Sequence, residues 1–274
     1  MDGPRSDPDG YARMMARHRE SIRELLSNYG RIDMLCLDVA MPAFCWPELK
    51  QTVLMARRLQ PDCLFRDRGI GAYGDYHTPE NWIPDSPKSR ESKLPWMVIY
   101  NLGSQYSYDP NGANYRPGSW IVENLIDICA KGGNFMVNAS PDAQGLWHPE
   151  AVSRLEYAGD WLKVNGEAIY ATRPRDGSLW KEGDAIRFTR SKDKRFIYAI
   201  CLRRPGRTVA IKSVRAKDGS RMTMLGVNEA LSWRYDKGGG IIIDVPASLQ
   251  VEANRPCKSA YAFKIEGEDA APDR

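Results

Sequence analysis

The feature that most constrains this chain is a change of hydrophobic period near Arg173-Pro174-Arg175-Asp176-Gly177. Before it, apolar residues recur at helical spacing in long segments separated by short apolar runs. Met14, Met15, Ile22, Leu25 and Leu26 predict a helix over 11–29, with Gly30 as its C-cap. A strand at 33–38 follows, then a helix from Trp46 to Leu59 with Pro47 in its first turn and Leu49, Val53 and Ala56 on one face. Short strands at Cys63–Arg66, Trp96–Tyr100 and Phe135–Val137 and helices at Ser119–Ala130 and Pro149–Val164 complete this part. Alternating strands and helices predict parallel strands covered by helices. The polar stretch between 66 and 96, with Gly69, Gly71, Gly74, Pro79, Pro84 and Pro87, is expected to be a long loop of functional type. From Asp184 onward the period is two. Runs such as Phe196–Ile200, Val209–Ile211, Ile241–Val245 and Tyr261–Ile265, divided by Pro205-Gly206, Asp218-Gly219 and Gly238–Gly240, predict an antiparallel sandwich.

Composition narrows the function classes. The net charge of +4 over 274 residues is small and the charges are interspersed, which argues against a nucleic-acid surface. No apolar run reaches the roughly 18 residues of a membrane span, so no membrane partner is expected. The polar start, Met1 to Gly10, lacks the apolar core of a signal peptide. The six cysteines form no C-x-x-C pair and are expected to be buried free thiols. The three histidines show no metal-ligand spacing, so neither metal nor cofactor is expected.

Two carboxylates stand out. Asp38 ends the apolar run Met34–Leu37, and a strand that delivers a carboxylate at its C-terminal tip is how α/β barrels present catalytic groups. Glu80 follows 80 − 38 = 42 positions later, among Tyr76, Pro79 and Trp82. Such a pair suggests glycoside hydrolysis. Plainer roles compete: Asp38 as a loop cap, Glu80 as a helix N-terminal glutamate after Thr78-Pro79, and Arg68 as an ordinary loop arginine.

The order of motifs resembles glycoside hydrolase family 29, the retaining α-L-fucosidases. Leu37-Asp38 sits where that family has its W-F-D-G strand end, and Leu59-Gln60-Pro61 and Arg66-Asp67-Arg68-Gly69 match further segments. Gly74-Asp75-Tyr76-His77-Thr78-Pro79-Glu80, Lys131-Gly132-Gly133-Asn134, Asn138–Asp142 and Trp161–Tyr170 continue the match in order. The resemblance implies an α/β fold: residues 1–172 as a partial (β/α)8 TIM-like barrel, residues 178–266 as a β-sandwich accessory domain. It implies hydrolysis of terminal α-L-fucosyl linkages by double displacement, with Asp38 as nucleophile and Glu80 as acid/base. Arg68, Asp75, Trp96 and Tyr106 would bind the sugar, Asp75 being also the reserve acid/base. The partner would be a fucosylated oligosaccharide or glycoconjugate. The family habit points to a periplasmic or secreted protein.

The departures define the alternative. The Trp of W-F-D-G is Cys36, P-W-E becomes Pro95-Trp96-Met97, W-G-Y becomes Tyr106-Ser107-Tyr108, and the family's histidine-rich first barrel strands have no counterpart. The chain is therefore expected to be the C-terminal part of a divergent member, poorly active by itself. The alternative is a degenerate homologue that binds glycan or serves in assembly. An unpaired parallel edge near Asp38 would favour homo-oligomers, with the sandwich better behaved alone.

Overall fold

The computed structural model describes residues 6–38, 41–70, 73–87 and 94–269, and the chain divides into two compact units. The first comprises 1–79 with 89–97, the second 80–88 with 98–274.

In the first unit, α1 (Pro8–Asn28) starts where Asp7 caps it: its Oδ1 accepts from the Gly10 amide at 2.8 Å. Met15, Ile22 and Leu26 are its buried stripe. The strand β1 (Met34–Leu35) leads to α2 (Trp46–Leu59), which buries Leu49, Val53 and Ala56, and then to β2 (Leu64–Phe65). β1 and β2 are parallel, Met34 opposite Leu64 and Leu35 opposite Phe65. Leu35 and Phe65 face the helices and join a core with Ile22, Leu26, Val53 and Ala56. Met34 and Leu64 take the other face and are 45% exposed each.

The segment expected to be a loop carries structure. Arg66 bridges Tyr76, and His77 bridges Trp96, both in parallel sense. In the second unit Glu80 bridges Ile99, again in parallel. Isolated bridges among glycines and prolines have no period of two, so hydrophobic pattern gave no signal for them. Asp75 sits where this ladder meets α2. Arg57 Nη2 donates to both its oxygens at 2.8 Å, and the Phe65 amide donates to Oδ2 at 2.8 Å.

The second unit holds β3 (Met97–Asn101, its first residue in the other unit), α3 (Gly118–Ala130), β4 (Asn134–Asn138) and α4 (Pro149–Asn165). β3 and β4 pair with each other. A Cβ on Gly118 would meet the Tyr157 ring at 2.6 Å, so glycine is what lets α3 and α4 approach there. The remaining strands are β5 (Thr172–Pro174), β6 (Lys181–Glu182), β7 (Ile186–Ser191), β8 (Phe196–Cys201), β9 (Thr208–Ile211) and β10 (Val214–Ala216). They are followed by β11 (Thr223–Met224), β12 (Trp233–Tyr235), β13 (Ile241–Asp244) and β14 (Tyr261–Asp269). One sheet runs β10-β14-β8-β7-β5, with β11 on β14 and β6 on β7. The other is β12-β13-β9, and the pairings among the described residues of both are antiparallel. Sequence reading missed β5, β6 and β10, each of two or three residues, too short to show a period.

The two antiparallel sheets share a core of Phe188, Ile197, Ala199, Val209, Ile211, Ile243, Phe263 and Ile265. The alternate residues of β8 and β14, Tyr198, Ile200 and Ala262, are also buried, in a core with Ile121, Val122, Ile126 and Trp161 of α3 and α4. Polar contacts reinforce this second face. Trp161 Nε1 donates to Ala260 O at 2.9 Å, Arg187 Nε to Asp127 Oδ1 at 2.6 Å, and Thr189 Oγ1 to Ala168 O at 2.6 Å.

The sheet containing β8 and β14 thus presents a second apolar face to α3 and α4, which argues against the expectation that residues 178–266 behave well alone. Burial of each large apolar side chain contributes about 1.5–3 kcal/mol, and a whole domain has only about 5–15 kcal/mol of stability. Residues 178–266 expressed alone should bind an apolar dye and aggregate in sedimentation, whereas residues 98–269 should unfold cooperatively. Asp75→Ala should lower stability by about 1–3 kcal/mol in denaturant melts, because Arg57 and the Phe65 amide lose a charged acceptor. Asp75→Asn, which keeps an acceptor oxygen for the amide, should lose less.

Candidate functional site

The C-terminal end of β1 carries Asp38, three residues past Leu35. Its Oδ1 accepts from Arg66 Nη1 at 2.9 Å and from Arg68 Nη1 at 3.3 Å. The Arg66 side chain is 2% exposed, while the Asp38 side chain is 74% exposed. The pairing is therefore asymmetric: a buried cation anchors one carboxylate oxygen, and the group stays open to solvent. A buried guanidinium needs such partners, because an uncompensated buried charge is costly. The same Arg66 Nη1 lies 3.1 Å from Cys36 Sγ. His18, Cys36, Leu37, Asp38, Met41 and Gly69 line a hollow of about 270 Å³.

Arg68, expected to bind the sugar, reaches Asp38, and its Nη2 also lies 3.5 Å from Thr78 O. Sequence reading passed over Arg66. Its signal was available: an arginine directly following Leu64-Phe65, at the tip of a strand in an α/β pattern, where functional groups gather. Beside it, His77 Nδ1 lies 2.8 Å from Asp67 Oδ2. Cys36 is exposed, unlike Cys45, Cys63 and Cys201, so the expectation of buried thiols fails at the one cysteine that touches Arg66.

The other expected site residues divide. Asp75 has both oxygens engaged by Arg57 and the Phe65 amide, which makes it part of the framework between α2 and β2. Trp96 is 3% exposed and offers no ring face for stacking. Tyr106, in the second unit, is 42% exposed. Glu80 is half-buried in the second unit on an extended segment bridged to Ile99, so it does not begin a helix.

Around Glu80 and Tyr106 the ends of β3 and β4 converge. Asn81 Nδ2 donates to Tyr106 Oη at 3.3 Å, and its Oδ1 accepts from the Asn101 amide at 3.1 Å. Asn138 Nδ2 donates to Asn101 Oδ1 at 3.3 Å and to Tyr106 O at 3.1 Å, and Ser140 Oγ also donates to Tyr106 O. The loop after β3 is organised by buried Asp109, which accepts from the Ser104 amide at 3.1 Å, the Ser104 hydroxyl, the Asn111 amide at 3.0 Å and Asn114 Nδ2 at 3.1 Å. The Ser104 hydrogen bonds, joined by those from Asn111 and Asn114, hold its carboxyl down at about 2.

Comparison with known proteins adds an independent finding. The family model described as alpha-L-fucosidase matches residues 5–167, and that described as the alpha-L-fucosidase C-terminal domain matches residues 182–266. The chain is 34% identical to mouse tissue alpha-L-fucosidase over 202 residues, 72% of this chain and 42% of that protein. It is 26% identical to rat plasma alpha-L-fucosidase over 224 residues, 79% of this chain and 46% of that protein. It therefore spans less than half the length of these curated relatives. Its fold is similar to alpha-L-fucosidase isoenzyme 1 from Paenibacillus thiaminolyticus, with a TM-score of 0.78 at 22% identity, covering 94% of this chain and 63% of that one. The Thermotoga maritima alpha-fucosidase in complex with fucose gives a TM-score of 0.74 at 24% identity, covering 92% and 56%. With a family model matched over residues 5–167, more than half of its length, the chain belongs to the alpha-L-fucosidase family.

Proposed function

We propose that the chain supplies the nucleophile and the acid/base of a retaining alpha-L-fucosidase. The observation that carries this is the Asp38 carboxylate: exposed, at the tip of a parallel strand, with Oδ1 held by Arg66 and Arg68. Two guanidinium groups on one oxygen fix the orientation of the carboxylate, which a nucleophile needs for attack. Asp38 attacks the anomeric carbon while Glu80 protonates the departing glycosidic oxygen; Glu80 then takes a proton from the water that cleaves the fucosyl ester. Arg68 steadies charge at Asp38, and Tyr106 offers an exposed ring to the sugar or its aglycone. Asp75 and Trp96 act as framework. The substrate class, a fucosylated oligosaccharide or glycoconjugate, follows from the family and from the fucose that the Thermotoga maritima protein binds.

The same proposal extends to architecture, with residues 1–172 as part of a (β/α)8 barrel and residues 178–266 as a β-sandwich. The parallel ladder supports it, as do Met34, Leu64 and Met136, apolar strand residues left 44–45% exposed on the face away from the helices. Parallel strands are ordinarily covered on both faces, so these residues belong against further strands of a barrel.

Stereochemistry tests the two roles separately. In a polypeptide as long as the relatives, the first-formed sugar should be the α-anomer by NMR. Asp38→Ala should lower kcat by about 10⁴-fold or more, and added azide should give the inverted β-fucosyl azide. Glu80→Ala with azide should give the retained α-azide, since the fucosyl-Asp38 ester still forms. A β-product from the unsubstituted protein, or full activity of Asp38→Ala, would sink the assignment. Absence of all turnover would favour a glycan-binding homologue.

Acid should act on the loop that carries Tyr106. A carboxyl depressed in the fold stabilises it above the ordinary value of 3.8, and that contribution is lost as pH falls towards about 2. Hydrogen exchange at the Ser104 and Asn111 amides should accelerate between pH 4 and 2, beyond its intrinsic pH dependence. Asp109→Ala should show the fast exchange already at neutral pH.

A further inference from the structure

Asn81, the residue directly after Glu80, has φ +57°, in the left-handed region. Among residues with a side chain, asparagine enters that region most readily. Every polar group that Asn81 turns towards β3 is used. Its amide donates to Ile99 O at 2.9 Å, its Oδ1 accepts from the Asn101 amide at 3.1 Å, and its Nδ2 donates to Tyr106 Oη at 3.3 Å. Asn101 is itself buried and tied to Asn138 on β4 at 3.3 Å. The peptide between Glu80 and Asn81 is thereby fixed against the C-terminal ends of two strands. A residue relaxed to negative φ could not keep all three bonds while Glu80 stays bridged to Ile99.

We infer that Asn81 is a positioning residue: it fixes the backbone direction from which the Glu80 carboxyl reaches the leaving-group oxygen. The inference rests on Glu80 being the acid/base. General acid catalysis depends on hydrogen-bond reach, so an anchor beside the donor acts on protonation and not on nucleophilic attack. It also connects the acid to Tyr106, because one side-chain amide holds both Asn101 and the tyrosine hydroxyl. Contact of an aglycone with Tyr106 would therefore bear on the segment that carries the acid.

The test compares Asn81→Ala, Asn81→Gly and Asn81→Asp in a polypeptide as long as the relatives. Substrates are a fucosyl oligosaccharide, whose leaving group needs a proton, and an activated aryl fucoside, which does not. Asn81→Ala should lower kcat/KM for the oligosaccharide about 10–100-fold and for the aryl fucoside less than about 3-fold. Asn81→Gly, which relieves the φ strain but supplies no amide, should show the same split. Asn81→Asp, which keeps the acceptor for the Asn101 amide, should recover most of the loss. Hydrogen exchange at the Asn101 amide should rise at least about tenfold in the Ala and Gly variants and stay slow in Asp. Equal loss on both substrates, or no loss on either, would overturn the positioning role, as would an Asn101 amide still protected in Asn81→Ala. Lack of turnover in the unsubstituted protein would instead overturn Glu80 as the acid, and Asn81's role with it. The exchange result would still show whether Asn81 anchors the segment.

Discussion

The second unit depends on burying β8 and β14 on both faces. One face of each strand packs into the core shared with β9 and β13, and the other packs on α3 and α4. That constraint explains the composition of Phe196–Cys201 and Tyr261–Ile265, where the alternate positions are Phe196, Tyr198, Ile200 and Ala262, with Lys264 the charged residue among them. It also explains why the polar contacts between helix and sheet are well paired. Asp127 of α3 takes both Arg187 of β7 and Lys131, and Glu167 takes Tyr198 Oη at 2.8 Å and Lys264 Nζ at 2.5 Å. An unpaired charge at the edge of such a core would be costly, and these groups are matched. Burial has the parallel effect on thiols: Cys129 and Cys201 are pushed up to about 12, which leaves them neutral and unreactive.

The first unit turns on a smaller constraint, the burial of the Arg66 guanidinium. Its Nη1 reaches Asp38 and Cys36, residues 28 and 30 positions away, just beyond the end of the neighbouring parallel strand. A catalytic carboxylate must keep its charge and its orientation while remaining accessible. Here a buried guanidinium fixes the orientation of the exposed Asp38 carboxylate without covering it. Cys36 stands where the resemblance expects tryptophan, and it gives Arg66 a small, polarisable neighbour in place of an aromatic wall.

Helices α2, α3 and α4 were readable from the chain almost to the residue, because a buried stripe at period 3.6 and a proline or glycine at the boundary are local properties. The core strands of the sheets were readable too, since alternation is local. The ladder at Tyr76, His77 and Glu80 was not, because single parallel bridges draw their stability from neighbours far away in sequence. The site shows the same division. Asp38 and Glu80 could be singled out by type, spacing and motif. The engagement of Asp75 by Arg57, the burial of Trp96, and the hub at Asn81 needed partners 18 to 25 positions distant, or a packed interior, to become visible.

By itself, then, the sequence determined the elements whose cause is local: the helices with their caps, the change from period 3.6 to period 2 near Arg173–Gly177, and the carboxylates at strand tips. Only the tertiary structure decided which arginine is buried beneath Asp38, which aromatic is core and which exposed, and that the sheet is covered by helices on its second face. Burial and ion pairing depend on what lies across a strand or a layer, and no local pattern encodes the identity of that neighbour.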